Sequence, residues 1–480
     1  MKLDEVQGAA NVAAVAAQVA EQADAAPAPP PLLAGSAGSL GSAGGAGIRR
    51  RIAIISEHAS PLAAPGSVDC GGQNVYVAQL AHELARAGHR VDVFTRRDAP
   101  EQRQVAHWHD GIRVIHVPAG PPRHVPKEQL LPHVDAFARY VTRFARRQPA
   151  AYDIAHANFF MSGMVAQHLK AALGLPFVIT FHALGRVRRL AQGTADTFPT
   201  ERMRIEAALM RAADRIIAEC PQDRYDMERL YGAPLSRIAI APCGFAPDEL
   251  WPVPMLEARA RLGLEAGRFI VLQLGRMVPR KGVDTVIQGV AMLRHRHGVD
   301  AQLLVVGGDV KGQAGAGGGD RLELARLRSV AADLGIAAHV RFTGQQPRAV
   351  LRDYYGAANV FASTPWYEPF GITPVEAMAC ARPVIGAEVG GIKSTVNDGV
   401  TGFLVPSRDP AALAERLARL HRHPELARAM GEAGRRRACE HYTWRHVASL
   451  LAAIYADVLD ATRSAAQAAA YPNAITLRSP

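Results

Sequence analysis

Cysteine is scarce in this chain of 480 residues: the five present, Cys70, Cys220, Cys243, Cys380 and Cys439, are dispersed and never form a Cys-x-x-Cys pair. An odd, scattered set excludes a disulfide framework or a zinc site as the organising device and fits a reducing, cytoplasmic setting. No run of about 18 apolar residues occurs, so no transmembrane helix is expected. The start, "MKLDEVQ", mixes acids with its single lysine, unlike the basic opening of a secretory signal. Also missing are an Asp-x-Asp pair of the kind that steadies a divalent metal against a diphosphate, a His-Glu-x-x-His stretch and a Ser-His-Asp arrangement, so no metal is expected. Zinc-finger spacing, an RNP-like aromatic motif and a helix-turn-helix pattern are lacking too, so nucleic acid is not expected as a partner.

Positive charge is plentiful. The formal net charge is +11, and because the first 48 residues carry −3 (Lys2 against Asp4, Glu5, Glu21 and Asp24), the remainder carries +14. A basic body favours anionic partners, phosphorylated small molecules among them. Arg139, Arg143, Arg146 and Arg147 fall along one predicted helix. They read first as a solvated basic face, with peripheral contact to an anionic membrane as the alternative.

The length exceeds what one core of about 250–300 residues organises, so two domains are expected. Residues 1–48, rich in Ala, Gly, Pro and Ser, bury too little apolar surface to offset the entropy of ordering and read as a disordered tail. From Arg51 short β-branched runs alternate with amphipathic helical stretches, beginning "RIAIIS", "GGQNVYVAQLAHELARAG" and "RVDVFTR". This is the rhythm of a parallel sheet covered on both faces. Further strands are predicted in "IRVIHVPA", "YDIAHAN", "PFVITFHA", "RIIAEC" and "RIAIAPCG". After the Pro-rich linker "APDELWPVP" (246–254) a second series runs through "FIVLQLG", "AQLLVVGGD", "VRFTG", "NVFAST", "PVIGAEVG" and "TGFLVP". The expected class is α/β, with two Rossmann-like doubly wound domains, 49–250 and 251–445, and ligands in the cleft beyond the strand ends. Residues 446–463 read as a C-terminal helix packing back on the first domain and 464–480 as a flexible tail. "KGQAGAGGGD" (311–320) reads as an inserted loop.

Four motifs carry chemistry. Gly71-Gly72 stand directly before a helix whose N-terminal amides favour phosphate, although two glycines also make a plain tight turn. "LGRMVPRKGVDTVI" puts Arg276 just past a strand and Lys281 at the mouth of the next helix, two cations suited to the charge on a departing diphosphate; Arg280 between them reads as solvated. In "WYEPFGITPVEAMA", Glu368 and Glu376 are separated by Pro369, Gly371 and Pro374, which break any continuous helix. Two carboxylates across a bend suit the two vicinal diols of a sugar nucleotide. The plainer alternative makes Thr373, Pro374 and Glu376 the N-cap, N1 and N3 of a capping box. His182, in "TFHALGR", ends a strand and points toward the same cleft.

At these residues the chain resembles the family 4 retaining glycosyltransferases of the GT-B fold over about residues 51–460. "EPFGITPVE" matches that family's E-x7-E signature, and "GRMVPRKG", "DCGGQNVYV" and "VGGIKSTVNDGVTGFLVP" follow the family's order. Among its members, "SPLAAPGSVDCGGQNVYV" is similar to the inositol-phosphate glycosyltransferase of mycothiol synthesis, and "GGQ" and "FHALGR" also to sucrose-phosphate synthase. The resemblance implies an acceptor-binding first domain and a nucleotide-sugar-binding second one. It implies a hexosyltransferase that needs no cofactor and takes a nucleoside-diphosphate sugar, UDP-hexose by expectation, with a sugar or sugar-phosphate as acceptor. Arg276 and Lys281 would hold the diphosphate, Glu376 the ribose and Glu368 the transferred sugar. The amides of Phe370, Gly371 and Ile372 would meet sugar or phosphate oxygens, Gly71 and Gly72 would flank the diphosphate, and His182 would lie at the reacting centre. Asn74, Lys127 and Arg202 or Arg204 are the implied acceptor contacts. Phe159 and Ala183 depart from the pattern, standing where the inositol-phosphate enzyme has a tyrosine and a threonine. A catalytically silent sugar-nucleotide-binding or scaffold protein is the alternative from another class.

Overall fold

The computed structural model of the protein describes residues 48–63, 71–308, 310 and 318–470. The predicted tail 1–48, except Ile48, Cys70 and most of the 311–320 insertion lie outside the described residues. Gly318 to Asp320, assigned to that loop, instead open the helix Gly318–Asp333.

Runs of Ile, Val, Ala and Phe bury both faces of their strands because helices cover both sides of each sheet. The first sheet contains β1 (Arg51–Ile55), β2 (Arg90–Arg96), β3 (Val105–His109), β4 (Ile112–Val117), β5 (Ile154–Asn158), β6 (Phe177–Thr180), β7 (Arg215–Ala218) and β8 (Ile238–Ile240). Their spatial order is β3-β4-β2-β1-β5-β6-β7-β8, all neighbours parallel except β3 with β4. The second sheet, β9 (Phe269–Leu274), β10 (Ala301–Val306), β11 (Val340–Gly344), β12 (Val360–Ser363), β13 (Val384–Ala387) and β14 (Gly402–Val405), is wholly parallel in the order β11-β10-β9-β12-β13-β14. Chain order therefore reverses between β1 and β5 and again between β9 and β12. Doubly wound sheets open a ligand crevice at that point.

The sequence reading missed β3, "VAHWH". It is a half-exposed edge strand of mixed polarity, and its one signal is the Asp110-Gly111 pair that turns the chain into β4.

Two stretches of chain pass between the domains, and they lie side by side. The Phe245 amide donates to Tyr442 O at 2.8 Å and the Trp444 amide to Phe245 O at 3.0 Å. A Cβ on Gly244 would stand 2.8 Å from Tyr442 O and 2.9 Å from the Trp444 amide, so only glycine permits this approach. The last helix, Trp444–Ala470, runs beyond the expected 446–463. Residues 464–470 are helical rather than tail, in keeping with the high helix propensity of "SAAQAAA". Trp444, Val447, Leu451 and Tyr455 bury against the helix Gly72–Arg86 of the first domain and share one apolar cluster with Ile270 and Leu272 of β9. Arg139, Arg143, Arg146 and Arg147 are all exposed along and just past the helix Val134–Arg146.

Candidate active site

A cleft of about 550 Å³ lies between the sheets, within the usual span for small-molecule sites. Its second-domain wall comes from the segments that follow β9, β10, β11 and β12. Arg276 lies two residues past β9, and Lys281 ends the single turn Pro279–Lys281. The Lys281 ammonium donates to Glu368 Oε2, and Arg280 Nη1 approaches the same oxygen at 3.8 Å. Burial pushes the Lys281 ammonium below its ordinary range, and Glu368 only partly restores it. Burial also pushes the Glu368 carboxyl up, but Lys281, Arg280 and Arg276 outweigh it and hold the group below the usual carboxylate range. Three cations therefore converge on one ionised acid. Arg280, expected to be solvated, is a cleft residue whose guanidinium lies 5.2 Å from the centre of the Tyr367 ring.

The turn after Glu368 is shaped by its neighbours. A Cβ on Gly390, at φ 49°, would fall 1.8 Å from Glu368 O, so the "VGG" stretch packs against "EPFG" only as glycine. The following helix begins at Ile372, with Gly371 as N-cap and no side-chain cap hydrogen bond. This removes the capping-box reading: Glu376 lies a turn inside the helix. Its carboxylate, 2% exposed, accepts from the Tyr355 hydroxyl at 2.8 Å and from Arg348 Nη1 at 3.1 Å. The first amides of the helix have no partner within it and face the same cleft.

The first-domain wall opposes this one closely. Space beside Gly71 is bounded by Arg276 Nε, 3.8 Å from where a Cβ would stand, and space beside Gly72 by Ile372 Cδ1 at 3.4 Å. Gly71 caps the helix Gly72–Arg86. His182, just past β6, has Nδ1 2.9 Å from Glu219 Oε1 and Nε2 2.9 Å from Asn158 Oδ1. The Asn158 amide nitrogen points instead at the carbonyls of Ile55 and His156, which fixes its oxygen toward His182. Cys243 Sγ donates to Glu219 at 3.1 Å, and the Tyr76 ring stands edge-on 4.8 Å from the His182 ring. His182 (φ 58°) and Phe159 (φ 82°) both hold left-handed backbone without being glycine, strain of a kind that gathers at functional sites.

Lys127, His182, Arg276, Lys281, Glu368, Phe370, Gly371, Ile372 and Glu376 therefore line one cleft with Gly71 and Gly72. The remaining acceptor candidates are placed differently. Asn74 borders the cleft, but its amide is engaged: Oδ1 accepts from the Gly71 amide at 2.9 Å and Nδ2 donates to Ser60 O at 2.9 Å. Arg202 is buried outside the lining, paired with Glu206 at 2.7 Å, donating to Ala183 O and lying over the Phe159, Phe160 and Phe198 rings. Arg204 projects away, mostly exposed, beside Glu201.

Comparison with known proteins now decides the family. The pattern described as Glycosyltransferase Family 4 matches residues 70–249, and that described as Glycosyl transferases group 1 matches residues 254–437. The chain is 37% identical over 429 residues to the D-inositol 3-phosphate glycosyltransferase of Acidothermus cellulolyticus, covering 87% of this chain and 92% of that protein. The chain belongs to the family 4 glycosyltransferases. Among solved structures, sucrose-phosphate synthase from Thermosynechococcus elongatus superposes with a TM-score of 0.78 at 34% identity, over 86% of this chain and all of that one. Anabaena HepE, in complex with UDP and glucose, has a TM-score of 0.66 at 21% identity over 85% of this chain and all of that one, a likeness of GT-B fold alone.

In this family 4 glycosyltransferase, the cleft also contains residues that sequence reasoning passed over. His58, Arg188, Glu219 and Arg348 all line it. Glu219 and Arg348 had a readable signal, since a lone acid ends the apolar strand "RIIAE" and a lone arginine opens the helix "RAVLRDYY". His58 sits in a loop and Arg188 on the short helix Gly185–Gln192, where identity alone carries little information. Among the described residues no group of three or more His, Cys, Asp or Glu side chains is arranged to hold a metal ion, and no helix is long and apolar enough to cross a membrane.

Proposed function

We propose that this glycosyltransferase moves a hexose from a UDP-linked donor to a sugar or sugar-phosphate hydroxyl in the cytoplasm, with retention of anomeric configuration and without a metal ion. The observation that carries the reading is the part-buried Lys281–Glu368 pair, set beside Arg276 and facing the Gly71-Gly72 helix start. A departing diphosphate gains negative charge. Arg276, the Lys281 ammonium and the amides opening the helix Gly72–Arg86 are donors gathered where that charge develops, an arrangement that lowers a barrier strongly. Donor binding divides the Lys281–Glu368 pair, the ammonium turning to phosphate and the carboxylate accepting from sugar hydroxyls. Glu376, 2% exposed and held by Tyr355 and Arg348, suits the ribose diol.

Retention follows if the acceptor attacks on the face the diphosphate leaves, its proton passing to a leaving phosphate oxygen. Glu368 is held by cations and serves as a binding group rather than a nucleophile. The domain junction at Gly244 and Tyr442 supports closure about two strands of chain, which would exclude the water that competes with the acceptor.

For the acceptor, Lys127 and Arg188 supply positive charge at the first-domain side of the cleft. Inositol phosphate, named for the relative above, is disfavoured. Phe159 and Ala183 offer no hydroxyl, and Arg202 is spent on Glu206 and Ala183 O beneath three aromatic rings. The test is a panel of nucleotide sugars with purified protein, scoring thermal stabilisation, donor hydrolysis and transfer. Lys281→Ala and Glu368→Ala, each still folded, are expected to lower transfer about 100-fold or more. Unchanged transfer in both would refute the assignment, and donor binding without turnover across sugar and sugar-phosphate acceptors would favour a silent binding protein.

A further inference from the structure

The Glu376 carboxylate is the near end of a chain of contacts that leaves the second domain. Arg348, which donates Nη1 to Glu376, donates Nε to Glu249 in the first interdomain connection. Glu249 Oε1 accepts in turn from Gln79 Nε2 at 3.1 Å, on the helix Gly72–Arg86 of the first domain. Arg348 is the first residue of the helix Arg348–Ala357, an end where the helix dipole disfavours a cation. Burial disfavours its charge as well. Glu376 and Glu249 more than offset both, so the guanidinium is held above its ordinary range. Nη2 is buried without a hydrogen-bond partner among the described residues, while the side chain as a whole lines the cleft.

We infer that Arg348 is a positioning residue for the donor ribose: it fixes the Glu376 carboxylate toward the vicinal diol, and through Glu249 and Gln79 it ties that orientation to the seating of one domain on the other. The inference rests on the reading that Glu376 receives the ribose. The planar fork is what the place requires, because one guanidinium reaches two carboxylates at once and a lysine ammonium has no such geometry. With the carboxylate clamped on Oε1 by Arg348 and on Oε2 by Tyr355, its remaining lone pairs are presented in one orientation, and ribose hydroxyls meet an acceptor that has no rotamer freedom left to lose.

The test measures affinity by calorimetry for whichever of UDP, ADP and GDP binds most tightly, against its 2′-deoxy counterpart, in the wild type, Arg348→Gln, Arg348→Lys and Glu249→Gln. A hydrogen bond to a charged group predicts a wild-type preference of about tenfold or more for the ribonucleotide. In Arg348→Gln that preference should fall below about threefold, with affinity for the 2′-deoxy form nearly unchanged. Arg348→Lys, which keeps the charge and covers the case in which the glutamine variant does not fold, should lose it likewise. Glu249→Gln should lose at least about a third of the preference. A preference retained in both Arg348 variants, or equal weakening of the two nucleotides, overturns the inference and leaves the ribose reading standing. A full preference in Glu249→Gln overturns the tie to the first domain. A wild type with no preference overturns the ribose reading and the inference together.

Discussion

The two walls of the cleft are built by opposite means. On the second-domain side the groups crowd into short segments, Arg276 to Lys281 and Glu368 to Glu376, and these charged side chains hold one another: Lys281 with Glu368, Arg348 with Glu376. On the first-domain side His58, Lys127, Phe159, His182, Arg188 and Glu219 are spread along the chain, on loops, a single turn and the short helix Gly185–Gln192. His182 among them is held from behind by a buried, largely uncharged network of Asn158, His156, Thr180 and Tyr455. Under the proposed function the difference follows from the ligands. A diphosphate and a ribose always ask for the same cations and the same diol acceptor, so one local pattern serves. An acceptor is recognised by shape and by a few scattered polar groups, which need no single local pattern.

The largest effect that would break this contrast concerns Arg202, the acceptor-phosphate candidate. It is nearly fully buried, and Glu206 beneath it is wholly buried. Truncating one partner of such a pair leaves an uncompensated charge, so Arg202→Ala should lower unfolding stability by about 3–5 kcal/mol. Glu206 keeps the Gly185 amide and the Tyr231 hydroxyl, which favours the lower end of that range. Denaturant titration measures it. Stability within about 1 kcal/mol of wild type, joined to a tenfold rise in acceptor KM, would return Arg202 to the acceptor site and make the walls more alike than described.

The same contrast explains what could be read from the sequence. Thirteen of the fourteen strands follow from apolar runs bounded by Gly and Pro, because a doubly wound sheet buried on both faces demands such runs. Edge strand β3 escaped because an edge carries no such demand. The second-domain side was legible since Arg276 with Lys281, and Glu368 with Glu376, form two pairs each close in sequence and each bent together by Gly and Pro. The first-domain side was legible only in part: Lys127 and His182 were expected at the cleft and line it, whereas His58, in a loop, and Arg188, on the short helix Gly185–Gln192, carry no pattern that marks them. Arg202 and Arg204 differ by two positions on one helix, yet one is buried under aromatic rings and the other lies in solvent. Two readings of Glu376 fit the same letters, the capping box and the diol acceptor; the helix start at Ile372 removes the first, and the second remains a proposal.

An intermediate effect tests whether the first-domain network is as neutral as its geometry requires. His156 is fully buried between the Tyr455 hydroxyl at 2.6 Å and Thr180 Oγ1 at 2.9 Å, and burial, with His182 nearby, lowers it to about 3. Its folded value lies below the ordinary 6.5, so the unfolded chain takes up the proton first. The stability it contributes is complete above about pH 6.5 and is lost as the pH falls from there toward 3. Between pH 7 and pH 5 the loss should be about 2 kcal/mol at 1.36 kcal/mol per unit. The comparison is between wild type and His156→Gln, whose stability should be flatter over that interval. Parallel pH profiles would mean that His156 takes up its proton without leaving the fold, and that the last helix is not docked through a neutral ring.

The smallest expected effect sharpens the acceptor boundary most. Arg204 lies on the same helix as Arg202 but projects outward beside Glu201 at 3.6 Å, an exposed pair of the kind that contributes little. Arg204→Ala should leave both stability and acceptor KM within about twofold of wild type, whereas Lys127→Ala, in the cleft wall, should raise acceptor KM about tenfold if it meets an acceptor phosphate. The two variants together locate the edge of the site. A tenfold change in Arg204→Ala with none in Lys127→Ala would require the helix Glu201–Ala212 to turn its outer face into the cleft, carrying Arg202 out from under Phe159 and Phe198. That movement would expose Glu206 and break its contacts with Gly185 and Tyr231, a cost large enough to appear as slowed binding. Acceptor capture would then be a rearrangement of the first domain rather than occupation of a wall already formed.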